Sequence, residues 1–300
     1  MASPVQVLWT PAGASIPDIG SRALVDVSDG DTPNMRMPIR MLSIDTPEVT
    51  AKSEAGAARV DAKLAELAQW IRDGTAPVSR AFADHILPRI ETGNAGTLQF
   101  EQGREASAWF KARIAERLTR SNGRRRSLFV RTADAPFDNY HRVLAYVAPD
   151  YSAAERAAMT RAERATFNLD LVESGWAAPF VLFPNVPGEL DLPIFLDAAE
   201  RAVAEKRGQH ADPLSLPAYE YRMCEKLHRV TRKIAGGASV RGSERYGWRS
   251  RYAADMRDRT LHGPEGYMSI PQPLRLWIWP ADVQRAIAML NLVPAPGLLS

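Results

Sequence analysis

Between Ser28 and Glu48 the chain reads SDGDTPNMRMPIRMLSIDTPE, and this stretch restricts the architecture more than any other. Two acidic segments, Asp29-Gly30-Asp31 and Asp45-Thr46-Pro47-Glu48, flank short apolar runs. Asp-Gly is a strong turn signal, and Pro38 forces any strand through it to an edge or to a break. Residues 34–44 therefore read as one or two short strands, and 22–28, with its alternation, as a half-buried strand. The same segments set four carboxylates (Asp29, Asp31, Asp45, Glu48) around Arg40. Hard oxygen ligands suit calcium or magnesium, and a guanidinium suits a phosphate, so the stretch points to phosphodiester chemistry.

The remaining elements follow from periodicity and caps. Residues 5–10 read as an edge strand. Val60, Leu64, Leu67 and Ile71 share one face of a helix over 53–73, with Ser53 at its start and Gly74 at its end. Residues 74–103 lack a clear period and read as a long loop with one short helix around 80–90, a place where lids occur. Helices are expected at 104–119, 153–166 (Ser152 and Glu155 form a capping box), 168–174 and 191–207. Strands are expected at 127–132 and 140–147. Asp212-Pro213 to Pro217 reads as a boundary. Beyond it come a helix at 218–235, an irregular stretch at 236–270, a short aromatic strand at 273–279 and a helix at 281–291.

Composition excludes several classes. One cysteine, Cys224, allows no internal disulfide and no cysteine–histidine zinc cluster, and it reads as a small, partly buried apolar residue. The first fifteen residues lack a basic start followed by an apolar core, and no apolar run is long enough to span a membrane, so a cytoplasmic chain is expected. With six lysines among the 38 basic residues, 32 are arginine. Either a GC-rich coding bias or phosphate recognition accounts for that excess. The arginines of 241–259 could track a nucleic-acid backbone, but Glu244, Asp255 and Asp258 are mixed among them and favour an ordinary charged surface. For Trp277 and Trp279 core packing is favoured over base stacking, and for Arg124, Arg125 and Arg126 a solvated hairpin tip over a nucleic-acid contact.

Five segments stand in a telling order: DGDT (29–32), IRMLSIDTPE (39–48), EASAWFK (105–111), DNYHRVLAY (138–146) and LVESGWAAPFVLFPNVP (171–187). In this order they resemble the staphylococcal nuclease-like (thermonuclease) family over most of 20–208. The resemblance leaves out 50–103, an insertion, and everything after about 212. It implies that Asp31, Asp45 and the Thr46 carbonyl bind Ca2+, with Asp29 in the metal's surroundings. Glu48 would stand beside the attacking water, and Arg40 and Arg142 would hold the scissile phosphate. Tyr140 would lie near a terminal phosphate, and Phe180 would stand where the family stacks a base. The cut would leave a 3′-phosphate. Such roles make chemical sense, because a metal and two permanently charged guanidiniums together meet the charge that grows on a phosphodiester under attack.

Three features depart from the family. Only seven residues separate Thr32 from Arg40, the loop after DTPE is replaced by a helix, and Leu182 stands at the second stacking position. The expected fold is α+β: an OB-fold five-stranded β-barrel with packed helices over 1–210, a helical insertion at about 50–103, and a C-terminal α+β extension over 211–300. The expected function is a calcium-dependent nuclease acting on DNA, with RNA left open, as a monomer without a protein partner. The alternative is a non-catalytic nucleic-acid-binding or scaffold protein on the same barrel.

Overall fold

The computed structural model describes residues 19–298, so the strand expected at 5–10 lies outside the described residues. In chain order the first strands are β1 (Leu24–Val27), β2 (Pro33–Met35), β3 (Ile39–Met41) and β4 (Ile44–Asp45). Three helices follow: α1 (Glu54–Arg72), α2 (Arg80–Ile90) and α3 (Ala95–Leu118). Next come β5 (Leu128–Phe137), β6 (Val143–Pro149), α4 (Ala153–Ala158), α5 (Phe167–Glu173), β7 (Ala178–Pro179), β8 (Val181–Leu182) and α6 (Leu192–Ala204). The last part contains α7 (Ala218–Ala235), α8 (Gly242–Tyr246), β9 (Tyr252–Asp255), β10 (Thr260–His262), β11 (Arg275–Ile278), α9 (Val283–Leu290) and β12 (Val293–Pro294). The fold is mixed α+β. Its strands form four sheets, and none of these is a closed barrel among the described residues. Nor is any helix among them long and apolar enough to cross a membrane.

The chain divides into two compact units, a smaller one (residues up to 40 and 132–144) and a larger one (41–131 and 145 onward). In the smaller unit β1 and β2 form an antiparallel ribbon in which Val27 faces Pro33. All four residues of β1 are exposed, so its alternation does not mark a buried face. A two-stranded ribbon by itself has no second layer to bury one. The strands β3, β6 and β5 pair in that order. In the smaller unit Val143 N–H donates to the Pro38 carbonyl, and in the larger Leu42 N–H donates to that of Ala145, both at 3.0 Å.

The larger unit is organised by two apolar clusters. In one, Leu64, Leu67 and Ile71 of α1 and Phe82, Ile86 and Ile90 of α2 meet Tyr219, Tyr221 and Leu227 of α7, together with Trp248 and Trp277. The other gathers Ile44, Val181, Phe183 and Phe195 with Leu261, Leu276 and Ile278. A five-stranded sheet in the order β12-β10-β9-β11-β8 lies among them, with β8 parallel to β11 and β9 antiparallel to it. Residues after 212 therefore share a sheet with β8 and a core with α1 and α2.

Several sequence expectations change. The loop of 74–103 is largely helical, because α3 begins at Ala95 rather than near 104. Its glycines hid it. A Cβ on Gly96 would fall 2.8 Å from Val60 Cβ, and one on Gly103 would fall 2.9 Å from the Pro47 carbonyl oxygen. Glycine is costly in a helix interior, and here it admits close approach. The helix expected over 153–166 stops at Ala158. Thr160 and Glu163 exchange backbone-to-side-chain hydrogen bonds (2.6 and 3.2 Å) in a second reciprocal cap, which restarts the chain. Residues 236–270 contain α8, β9 and β10. Cys224 is fully buried, and burial pushes its thiol up.

Candidate functional site

The expected site residues fall in both units. In the smaller, the DGDT segment is a turn between β1 and β2. Ser28 N–H donates to the Thr32 carbonyl (3.0 Å), and the Thr32 hydroxyl donates to an Asp31 oxygen (3.1 Å). Asp29 and Asp31 are exposed, and a hydrogen bond from the Thr32 side chain helps hold the Asp29 carboxyl below its usual range. Arg40 lies half-buried in β3.

The DNYHR segment is built around Asp138. One of its oxygens accepts from the backbone N–H groups of Tyr140 and Arg142, both at 2.9 Å. The other accepts Arg142 Nε (2.7 Å) and Nη2 (2.6 Å). Partial burial pushes Asp138 up, but these bonds outweigh it and hold the carboxyl below its ordinary value. The turn brings His141 to a φ of +57° and sets the guanidinium 5.4 Å from the Tyr140 ring, which is 77% exposed. Arg142 is thus fixed in direction by a fork-to-carboxylate contact.

In the larger unit Asp45 sits in β4 opposite Ala178 of β7. Its side chain is 1% exposed, and both oxygens accept from Arg222 of α7, Nη1 at 3.2 Å and Nη2 at 2.6 Å. The same guanidinium donates to Glu48. Burial pulls the Arg222 pKa down, and the Asp45 charge more than offsets this. Helix α3 positions the Glu48 segment. Gln99, with its amide oriented to satisfy both ends, accepts the Glu48 N–H at 2.8 Å and donates to the Leu216 carbonyl at 2.9 Å. Gly103 meets the same segment without a side chain. Thr46, between the two acids, is half-buried.

The arrangement of Asp45 bears on the expected metal. A calcium ligand must offer its oxygens to the cation, and both oxygens of Asp45 are engaged by a guanidinium. As arranged, the Asp45 end of the set does not fit calcium. Among the described residues no group of three or more His, Cys, Asp or Glu could hold a metal ion. The expected set, two carboxylates and a carbonyl, is not of that kind.

The base-stacking place given to Phe180 is corrected. Its ring is buried, with the centroids of Tyr219 and Trp277 at 5.7 and 5.9 Å and the Arg251 guanidinium carbon at 4.8 Å. Of the three arginines at 124–126, Arg126 has a structural partner, Glu155. A separate cavity of about 730 Å³ is lined in part by Arg131, Arg156, Arg161 and Arg164. Most of these are already engaged: Arg161 by Asp191, Arg156 by the Tyr151 carbonyl and Arg164 by the Thr160 carbonyl.

Sequence reasoning missed Arg222, Gln99 and the role of Asp138, and it ranked Arg251 within a charged surface. The i, i+4, i+7 spacing of Arg222, Lys226 and Arg229 was the available signal for one basic helix face, but no spacing links α7 to the DTPE segment. No protein-family model and no curated protein matches this chain.

Proposed function

We propose that the chain is a phosphodiesterase of the staphylococcal nuclease-like type, on an OB-type five-stranded barrel, that cuts DNA, with RNA left open. The observation that carries this reading is the Asp138–Arg142 clamp. Three donors of Arg142 are spent on Asp138, while Nη1 has no hydrogen bond or ion pair among the described residues. A guanidinium locked at one edge with a donor remaining is pre-organised for a phosphate oxygen. The other roles rest on the resemblance: phosphate contact for Arg40 and handling of water for Glu48. Calcium belongs to the reading on the same footing, and it requires Arg222 to leave Asp45.

One observation favours the second reading, a non-catalytic nucleic-acid-binding protein. Arg222 neutralises both acids that the chemistry would use. A supercoiled-plasmid assay separates the two. The first reading expects nicking that Arg142→Ala reduces by about 10²–10³-fold, the loss typical of one preorganised donor. Binding without nicking by pure protein, with or without calcium, would leave the second.

A further inference from the structure

Tyr219, Arg222 and Lys226 share one face of α7, and the Tyr219 ring centroid lies 4.8 Å from that of Trp277 on β11. The register runs Ala253 opposite Trp277 and Tyr252 opposite Ile278. Continued by one residue, it sets Arg251 opposite Trp279 on the face that carries Trp277, because alternate residues share a face. The Arg251 guanidinium carbon lies 4.8 Å from the Phe180 ring, 5.6 Å from Trp277 and 5.3 Å from Trp279. Phe180 and Trp277 are buried, whereas Trp279 is 40% exposed, so the aromatic bed runs from the core out to solvent.

Among the described residues the Arg251 guanidinium makes no hydrogen bond or ion pair. Cation–π contacts compensate a desolvated guanidinium only in part. Its neighbours add repulsion. Burial, and next to it the charge of Arg222, push Arg251 down to about 10. Lys226, exposed on α7, is also pushed down, by burial and then by the charges of Arg251, Arg222 and Arg229. The acids around this group are Asp45 and Glu48, both engaged by Arg222, and Glu225, whose carboxyl burial and then the Glu48 charge push up while Lys63, Arg229 and Arg222 pull it down. A guanidinium buried against aromatic rings with no carboxylate of its own, and with an exposed ammonium on the neighbouring helix face, is unexplained by packing and calls for an anion.

We propose that Arg251 and Lys226, with the exposed ring of Trp279, form a subsite for single-stranded nucleic acid, the cations taking a backbone phosphate and the indole stacking on the adjoining base. The inference rests on the nucleic-acid reading of the chain and gives the C-terminal extension a role in gripping substrate. An aromatic face beside a phosphate grip is the arrangement by which single strands are held without sequence preference. A base-free polyanion would use the cations and ignore the indole.

The test is binding of a fluorescein-labelled oligothymidylate to the full chain over a salt series, with unlabelled tripolyphosphate as competitor. Arg251→Gln and Lys226→Gln should each weaken binding several-fold and reduce the log Kd–log salt slope by about 0.7, the value for one single-strand phosphate contact. Trp279→Ala should weaken oligothymidylate binding roughly tenfold and leave competition by tripolyphosphate unchanged. Arg251→Lys, which keeps the charge, should keep the slope. Lys226 and Trp279 are exposed, so their variants test the subsite even where Arg251→Gln disturbs folding. Wild-type affinity and slope in both exposed-residue variants would overturn the proposal. So would absence of oligothymidylate binding by the wild type, or a Trp279→Ala variant that loses tripolyphosphate equally. Plasmid nicking is scored separately. Binding with these losses but without nicking would sink the hydrolase reading and spare the subsite, and nicking with unaltered binding in all variants would do the reverse.

Discussion

Arg222→Met isolates the contact that sets this chain apart from its expected chemistry. Methionine keeps much of the side-chain volume and removes the guanidinium that both Asp45 oxygens accept. Asp45 is 1% exposed and would lose the guanidinium that both its oxygens accept, while Arg222 itself is 31% exposed. Breaking a fully buried pair costs about 3–5 kcal/mol, and water entering beside the shortened side chain argues for the lower end, about 3 kcal/mol. The second contact, to the more exposed Glu48, adds no more than about 1 kcal/mol. In a unit of this size about 3 kcal/mol lowers the melting temperature by roughly 6–12 °C. Asp45→Asn in the same chain removes that carboxylate's charge and should return most of the loss. Calorimetry with added calcium then asks what Arg222 stands in for. If Asp45 is a cation site that Arg222 occupies, calcium at a hundredfold excess over its Kd should restore about 2.7 kcal/mol to Arg222→Met, with no gain from sodium at equal ionic strength. An Arg222→Met protein melting with the wild type would refute the argument about the ion pair. A destabilised variant indifferent to calcium would refute the latent cation site.

Other outcomes follow from single contacts. Gly103→Ala should cost about 1–3 kcal/mol by denaturant titration, since its Cβ would meet the Pro47 carbonyl oxygen at 2.9 Å and Val49 Cγ1 at 2.8 Å. Asp138→Ala should lower nicking by Arg142-dependent chemistry roughly tenfold through kcat with KM little changed, and adding it to Arg142→Ala should cost nothing more. Glu155 should titrate by NMR at about 2, held down by the Ser152 backbone N–H and by Arg126. Its depressed value favours the folded state above pH 4.5 and that contribution is lost as pH falls toward about 2, and Arg126→Ala should raise the titration point only part of the way. Deleting 74–100 should abolish cooperative unfolding. Phe82, Ile86 and Ile90 are fully buried, and at about 1.5–3 kcal/mol each their loss rivals the stability of a typical domain.

Local chemistry was legible in the sequence where one segment supplies all its own partners. Ser53 accepts the Gly56 N–H as a cap should, and the Ser152–Glu155 box forms as read. The DNYHR turn was misread as the start of a strand over 140–147, although Asp138 and Arg142 are only four residues apart; the strand begins at Val143. Phe180 was misread because its neighbours Tyr219, Trp277 and Arg251 come from a part of the chain whose packing no spacing announces. The Trp277–Trp279 pair splits, one ring buried and one open, because the strand ends at Ile278 and carries the second indole past the core. The partners of Asp45 were beyond reach for the same reason. Arg222 lies 177 residues away, and only the packing of α7 brings it to β4.

The two stretches that the family resemblance does not cover are physically one structure. Neither α1 and α2 nor α7 buries its apolar face alone; Leu64, Leu67, Phe82 and Ile86 meet Tyr219, Leu227 and Trp277 in a single cluster. The helices α1 and α2 and the helix α7 depend on each other, since either without the other would leave a large apolar face in water. The pairing has a chemical consequence. It holds α7 so that Arg222 reaches Asp45 and Glu48 while Lys226 and Arg251 crowd beside them without acids of their own. The core shared by α1, α2 and α7 therefore sets the charge at the DTPE segment, because it places one guanidinium against two carboxylates.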